Sequence, residues 1–201
     1  MSVSPDAVYG QKKKLWHPIF DSERIATSGT TELFLFATPI GQGTSAHVGS
    51  GTKKLVDTNM RQGGMLSRGQ AHKAMGLRVK FKPTTANLTT NNADIEIAQR
   101  TGLLELKIGD SKKIEQQLID FNGGVGVDGF ATSTASTTTV TSAHNGVAAT
   151  EAIWWFKDVP VWFIEGQNIE CRLSWPSAPS LTTALIVTVQ FEGYLFGDII
   201  A

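Results

Sequence analysis

Residues 184–196 read ALIVTVQFEGYLF, and the architecture follows from how this stretch is patterned. Val187, Val189 and Phe191 occupy every second position, the period of a strand with one buried face. Gly193 interrupts the run and predicts a bulge or kink. Immediately upstream, Ile169–Trp175 (IECRLSW) alternates as well, with Ile169, Cys171, Leu173 and Trp175 inward, until Pro176 and Pro179 break it. Residues 165–168 (EGQN) are a turn signal. Two apolar runs precede it, 152–156 (AIWWF) and 159–164 (VPVWFI), the second with Pro160 near its start, where a missing N–H is tolerated.

Toward the N-terminus, Gly76–Lys82 (GLRVKFK) alternates, Leu77, Val79 and Phe81 against Arg78, Lys80 and Lys82. Glu32–Ala37 (ELFLFA) is almost continuously apolar, as a strand covered on both faces would be, and is stopped by Pro39 and Gly41. Asp94–Gln99 and Leu103–Ile108 alternate on either side of Thr101-Gly102, which reads as strand, turn, strand. Lys113–Phe121 fits a strand or a helix, and its neighbours favour a strand. The helix candidate is Met65–Met75, weakened by Gly63, Gly64 and Gly69.

Residues 41–52 (GQGTSAHVGSGT) are a loop by composition. Residues 122–150 turn abruptly to Gly, Ser, Thr and Ala with almost no charge. They read either as a flexible loop or as an extended excursion packed on a neighbouring subunit. Residues 1–28, with Pro5, Pro18 and Lys12-Lys13-Lys14, read as an extended N-terminal arm, leaving 29–201 as the folded domain. Eight or nine short strands and one weak helix, with no internal repeat, predict an all-β chain. The expected fold is a single jelly-roll β-sandwich of about eight strands with long loops and a short helix.

Composition agrees. The 201 residues include 22 threonines and 20 glycines, a bias toward strands and turns. A chain this long buries roughly 70% of its unfolded surface and needs no disulfide or metal staple. Eighteen basic residues balance eighteen acidic ones, which excludes nucleic-acid binding through bulk charge but not through a local patch. Charged residues make up 18%, below the usual ~25%, so neighbours are expected to cover much of the surface. The single Cys171 excludes an internal disulfide and any multi-cysteine zinc site. No apolar run reaches the ~18 residues of a membrane span, and the N-terminus does not read as a signal peptide.

The motif search for chemistry returns little. Four histidines, at 17, 47, 72 and 144, form no His-x-His or His-x3-His pair, so the spacing supports no metal centre. His47, His72 and His144 read as loop or weak-helix residues, solvated or locally bonded. Gly43–Lys54 (GTSAHVGSGTKK) has a phosphate-loop flavour, but Gly49 is followed by Ser50 rather than Lys and no helix opens behind it. No Gly-x-Ser-x-Gly elbow occurs. Ser133, Ser136 and Ser142 lie near His144 in a tract unsuited to fixing a nucleophile and its base. Cys171 reads as a buried structural thiol. Glu165 and Glu170 are a weak carboxylate pair.

Catalysis is therefore not expected, and no cofactor or metal is implied. Trp154, Trp155, Trp162 and Trp175 cluster near the C-terminus. Adjacent Trp154 and Trp155 face opposite ways on a strand, so one of them must leave the local core as a candidate subunit or ligand contact. Lys12, Lys13, Lys14 and Trp16 form the second candidate set: a solvated run, or a contact with nucleic acid, lipid headgroups or a neighbouring subunit.

The lysine-bearing arm, the TELFLFA strand, the Gly-rich excursion, GLRVKFK, the long Thr/Gly loop and the terminal VQFEGYLFGD together resemble jelly-roll major capsid proteins of tailless icosahedral viruses, bacteriophages with an internal membrane among them. The resemblance covers roughly residues 30–198 and is architectural. It implies a virion structural protein, assembled in the host cytoplasm, that closes an icosahedral shell by contacts with copies of itself and with other capsid proteins. It also implies weak contact of the arm with genome or internal membrane. Two alternatives stand beside it: a carbohydrate- or receptor-binding sandwich of a virion fibre or spike, and a small hydrolase or isomerase on a barrel.

Overall fold

The computed structural model describes residues 5–9, 12–85, 88–121, 128–135, 138–144, 153–156 and 159–197. Two antiparallel sheets pack face to face. Their strands are β1 (Lys14–Trp16), β2 (Ile19–Ile25), β3 (Glu32–Leu35), β4 (Ala71–Pro83), β5 (Leu103–Ile108), β6 (Ser111–Gln117), β9 (Trp154–Trp155), β10 (Val161–Ile164), β11 (Ile169–Ser174) and β12 (Leu185–Phe196). A separate ribbon pairs β7 (Asp128–Ala135) with β8 (Thr138–His144). A short helix, α1 (Pro5–Tyr9), precedes β1, and α2 (Leu88–Arg100) precedes β5.

The pairing is nested. β2 pairs with β12, β3 with β11, β4 with β10 and β5 with β6. One long antiparallel hairpin has thus been wrapped on itself, first strand against last, and that is the jelly roll. In the larger sheet, β12 lies between β4 on one side and β1 and β2 on the other, while β9 and β10 share the far flank of β4. The smaller sheet runs β3-β11-β5-β6.

Alternation sets which face is inside. Leu77, Val79 and Phe81 of β4 lie opposite Phe191, Val189 and Val187 of β12, and all six are buried. Cys171 and Leu173 of β11 and Leu104, Leu106 and Ile108 of β5 face them from the other sheet. Phe191 contacts the rings of Phe163 and Phe36 at centroid distances of 4.9 and 5.6 Å. Each such side chain contributes about 1.5–3 kcal/mol by leaving water. The register slips between Glu192 and Gly193, as expected there. A Cβ at Gly193 would sit 2.0 Å from the Lys73 carbonyl oxygen, so only glycine lets β12 pass.

Four expectations are corrected. Asp94–Gln99 is not a strand but the C-terminal half of α2. Ile95 and Ala98, three apart, are buried while Ile97 is exposed, and the Asp94 carboxylate accepts the Thr182 and Thr183 N–H groups at 2.9 and 2.7 Å. The helix expected at Met65–Met75 does not form: residues 65–70 are loop and Ala71 opens β4, whose pairing with β12 and β10 outweighs helix propensity. Residues 14–16 and 19–25, placed in the arm, are β1 and β2, both hydrogen-bonded to β12. His72 lies in β4 rather than in a weak helix. Lys113–Phe121 divides between β6 and a 3-10 turn at Leu118–Phe121. Within 122–150, only the two ribbon strands belong to the described residues.

Candidate interaction surfaces

The 35-residue connection from β3 to β4 contains no named helix or strand, yet it is fixed from below. Lys53, 1% exposed, donates from Nζ to both Asp21 carboxylate oxygens at 2.8 and 3.0 Å and lies 2.5 Å from Glu23 Oε1. Burial pushes the carboxyls of Asp21 and Glu23 up, more than the Lys53 charge pulls them down. Asp21 also accepts the Phe36 N–H at 2.6 Å, holding Phe36 at a φ of 66° that few non-glycine residues adopt.

Asp57 ties the middle of the loop. It accepts from Ser45 Oγ, from the N–H groups of His47 and Lys54, and pairs with His47 Nδ1 at 2.9 Å. Burial opposes its charge, but these bonds outweigh it and hold the carboxyl at about 2. Thr58 and Asn59 bond to the backbone of Phe20 and so cover the free edge of β2. Lys53 and Gly49 therefore belong to a structural loop, and the phosphate-loop flavour of this segment does not correspond to a strand–loop–helix.

The other chemistry candidates disperse. His72 is buried, donates from Nε2 to the His17 carbonyl oxygen at 2.9 Å, and is pushed down to about 4 by burial. Cys171 is buried on the inner face, and burial pushes its thiol well up. Glu165 accepts the Gly69 N–H, while Glu170 lies beside Lys107 on the smaller sheet. Among the described residues no group of three His, Cys, Asp or Glu could hold a metal ion. The side chain of His144 lies outside the described residues.

The two candidate sets occupy opposite flanks of the larger sheet. On one flank, all three residues of β1 are exposed. Trp16, 45% exposed, stands edge-on to Tyr194 at 5.0 Å, Lys14 Nζ lies 4.2 Å over the same ring, and Lys12 donates to the Gly69 carbonyl oxygen at 3.3 Å. Lys13 is exposed and its carbonyl accepts the Gly197 N–H at 3.2 Å. On the other flank, Trp154 and Trp155 are 41% and 43% exposed, so both leave the core in part rather than one of them. Trp154 meets Phe121 and Phe156 edge-on, whereas the Trp155 ring lies against Gly76. Val159 is exposed close by in sequence.

What the sequence did not show is the register between distant strands. Trp16, Tyr194, Lys73 and Trp162 come from four strands and lie on one rung. Tyr9 of α1 stacks on Trp162, and Lys73 Nζ lies 5.3 Å over that ring. The apolar–basic alternation of β4 signalled an outward cationic row, but nothing in it signalled these partners.

The fold defines the class: an all-β jelly-roll sandwich. No family model matches the chain, and no curated protein matches it significantly. No helix among the described residues is long and apolar enough to cross a membrane.

Proposed function

We propose that the chain is a coat protein that builds a closed shell from copies of itself, as the capsid resemblance implies. The supporting observation is that two different unfinished surfaces lie on opposite flanks of one sheet: the exposed β1 strand, and the Trp154/Trp155 patch with Val159. Exposed aromatic clusters and open strand edges are contact surfaces. Two unlike surfaces on opposite flanks make a head-to-tail contact, which closes into rings when the rotation permits. Virion location follows from this reading.

Light scattering over a concentration series, with electron microscopy of the same samples, tests it. Rings or shells are expected for the unaltered chain, and their loss on Trp154→Ala with Trp155→Ala in a variant that circular dichroism shows to be folded. A strictly monomeric chain at all concentrations would overturn the proposal. Glycan binding that those two substitutions abolish, with no assembly, would favour the carbohydrate-binding alternative.

A further inference from the structure

The chain is neutral, but its two outer sheet faces are not alike. Following the register across the larger sheet, the outward rungs are Arg24–Ile186–Lys82, Ser22–Thr188–Lys80, Phe20–Gln190–Arg78, then Trp155–Gly76–Glu192, then the Trp16 rung, then Lys14–Phe196–Ala71–Ile164. Among the described residues these rungs carry six cations, Lys14, Arg24, Lys73, Arg78, Lys80 and Lys82, against one carboxylate, Glu192. The smaller sheet is balanced instead: Lys107, Lys112 and Arg172 interleave with Glu32, Glu105, Glu115 and Glu170 in a continuous ion-pair lattice.

Same-face neighbours on a strand are about 7 Å apart, so Arg78, Lys80 and Lys82 repel one another, offset in part by the Arg78–Glu192 pair at 3.5 Å and the Lys80 Nζ bond to Gln190 Oε1 at 3.0 Å. Burial and the Arg78 charge both push the Lys80 ammonium down, while Glu192 opposes them. One carboxylate against six cations leaves this face with an excess of positive charge, unlike the alternating signs of the smaller sheet. A polyanion laid along the face would relieve it.

We infer that the outer face of the larger sheet binds the phosphate backbone of single-stranded nucleic acid, with Trp16 as a platform for an unpaired base. Positive charge tracking a backbone beside exposed aromatic rings is the recurring physics of such sites. A lipid surface fits less well. Ile186 and Phe196 of β12 are buried, and the apolar residues of these rungs that are half-buried, Phe20 and Ile164, lie on different strands at different ends of the face rather than forming one apolar patch. The cations also run the length of β4 rather than ringing an apolar centre. A duplex hides its bases from Trp16. This inference does not rest on shell closure, although Lys14 and Trp16 of β1 belong to both surfaces, so binding is measured on dissociated protein.

The test is fluorescence anisotropy of a labelled 20-nucleotide oligothymidylate, titrated with dissociated protein at several salt concentrations. Affinity should fall with salt, and Lys73→Gln, Lys80→Gln and Lys82→Gln should each flatten the logarithmic salt slope by about 0.7. Trp16→Ala should weaken binding about 5- to 150-fold with the slope unchanged. Lys107→Gln and Lys112→Gln, on the opposite face, should do nothing. Absence of binding at 50 mM salt, equal losses from the opposite-face variants, or tighter retention on phosphatidylserine vesicles than on the oligonucleotide would each overturn the inference. Circular dichroism of every variant checks that it is folded, and light scattering reports assembly independently.

Discussion

Replacing Lys53 by methionine leaves the Asp21 and Glu23 carboxylates beneath the long loop without the ammonium that faces them. Methionine keeps most of the apolar stem, so the loss is electrostatic rather than volumetric. Lys53 is 1% exposed and Asp21 fully buried. Removing one partner of such a pair costs about 3–5 kcal/mol, which for a chain near 200 residues lowers Tm by about 6–20 °C. Calorimetry or urea unfolding at pH 7 reads this directly.

The pH dependence gives a second readout. Burial already raises both carboxyls above their ordinary values, and without Lys53 they rise further. A raised carboxyl holds its proton longer in the folded state, so the chain gains stability as pH falls toward the unfolded value near ~4 and loses it as pH rises. The deficit of the Lys53→Met variant against the parent should therefore narrow between pH 7 and pH 5. Adding Asp21→Asn and Glu23→Gln should restore much of the loss at pH 7. A deficit below about 1 kcal/mol at pH 7, or one that widens in acid, would refute the argument that a buried ion pair anchors this loop.

His72→Phe probes the opposite slope. His72 is held neutral down to about 4, whereas an unfolded imidazole protonates near ~6.5, so the parent loses stability as pH falls through that window. The variant should lose about 1–2 kcal/mol at pH 7 from the unpaired His17 carbonyl, and urea midpoints should show that deficit closing by pH 5. Gly193→Ala places a methyl group against the Lys73 carbonyl and should cost about 3 kcal/mol, read as a lower Tm. Ile95→Ala should destabilise by about 2–4 kcal/mol and Ile97→Ala by less than about 1, by urea unfolding. Equal losses would restore the strand reading of this segment.

Strands whose alternation ran over six or more residues between clear breakers were legible, and residues 76–82 of β4, β11 and β12 were read with the correct face inward. Ile95-Glu96-Ile97 misled because so short a window satisfies a period of two and a period of 3.6 alike. The deciding facts, the Trp175 Nε1 bond to the Ala98 carbonyl and the Asp94 contacts with residues 182 and 183, come from remote chain. β2 was missed because, between the buried Ile19 and Ile25, its inward positions are Asp21 and Glu23, polar residues that only a buried lysine from the loop makes admissible. Of the candidate surfaces, Trp154, Trp155, Lys14 and Trp16 were legible as unusual residues. Their separation onto opposite flanks, and the rung that gathers Tyr194, Lys73 and Trp162, depend on pairings between strands remote in sequence.

The nested pairing also sets a timetable for synthesis. Among the described strands β12 is translated last, yet in the larger sheet it is the spine that β1, β2 and β4 all bond to. Until it leaves the ribosome, β2 has no ladder partner within its sheet and the cationic face has no platform. Such long-range closure is slow, and the waiting strand edges are sticky. The nascent chain thus leaves its larger sheet open until β12 has been made, which puts closure of the sandwich at the end of the folding order.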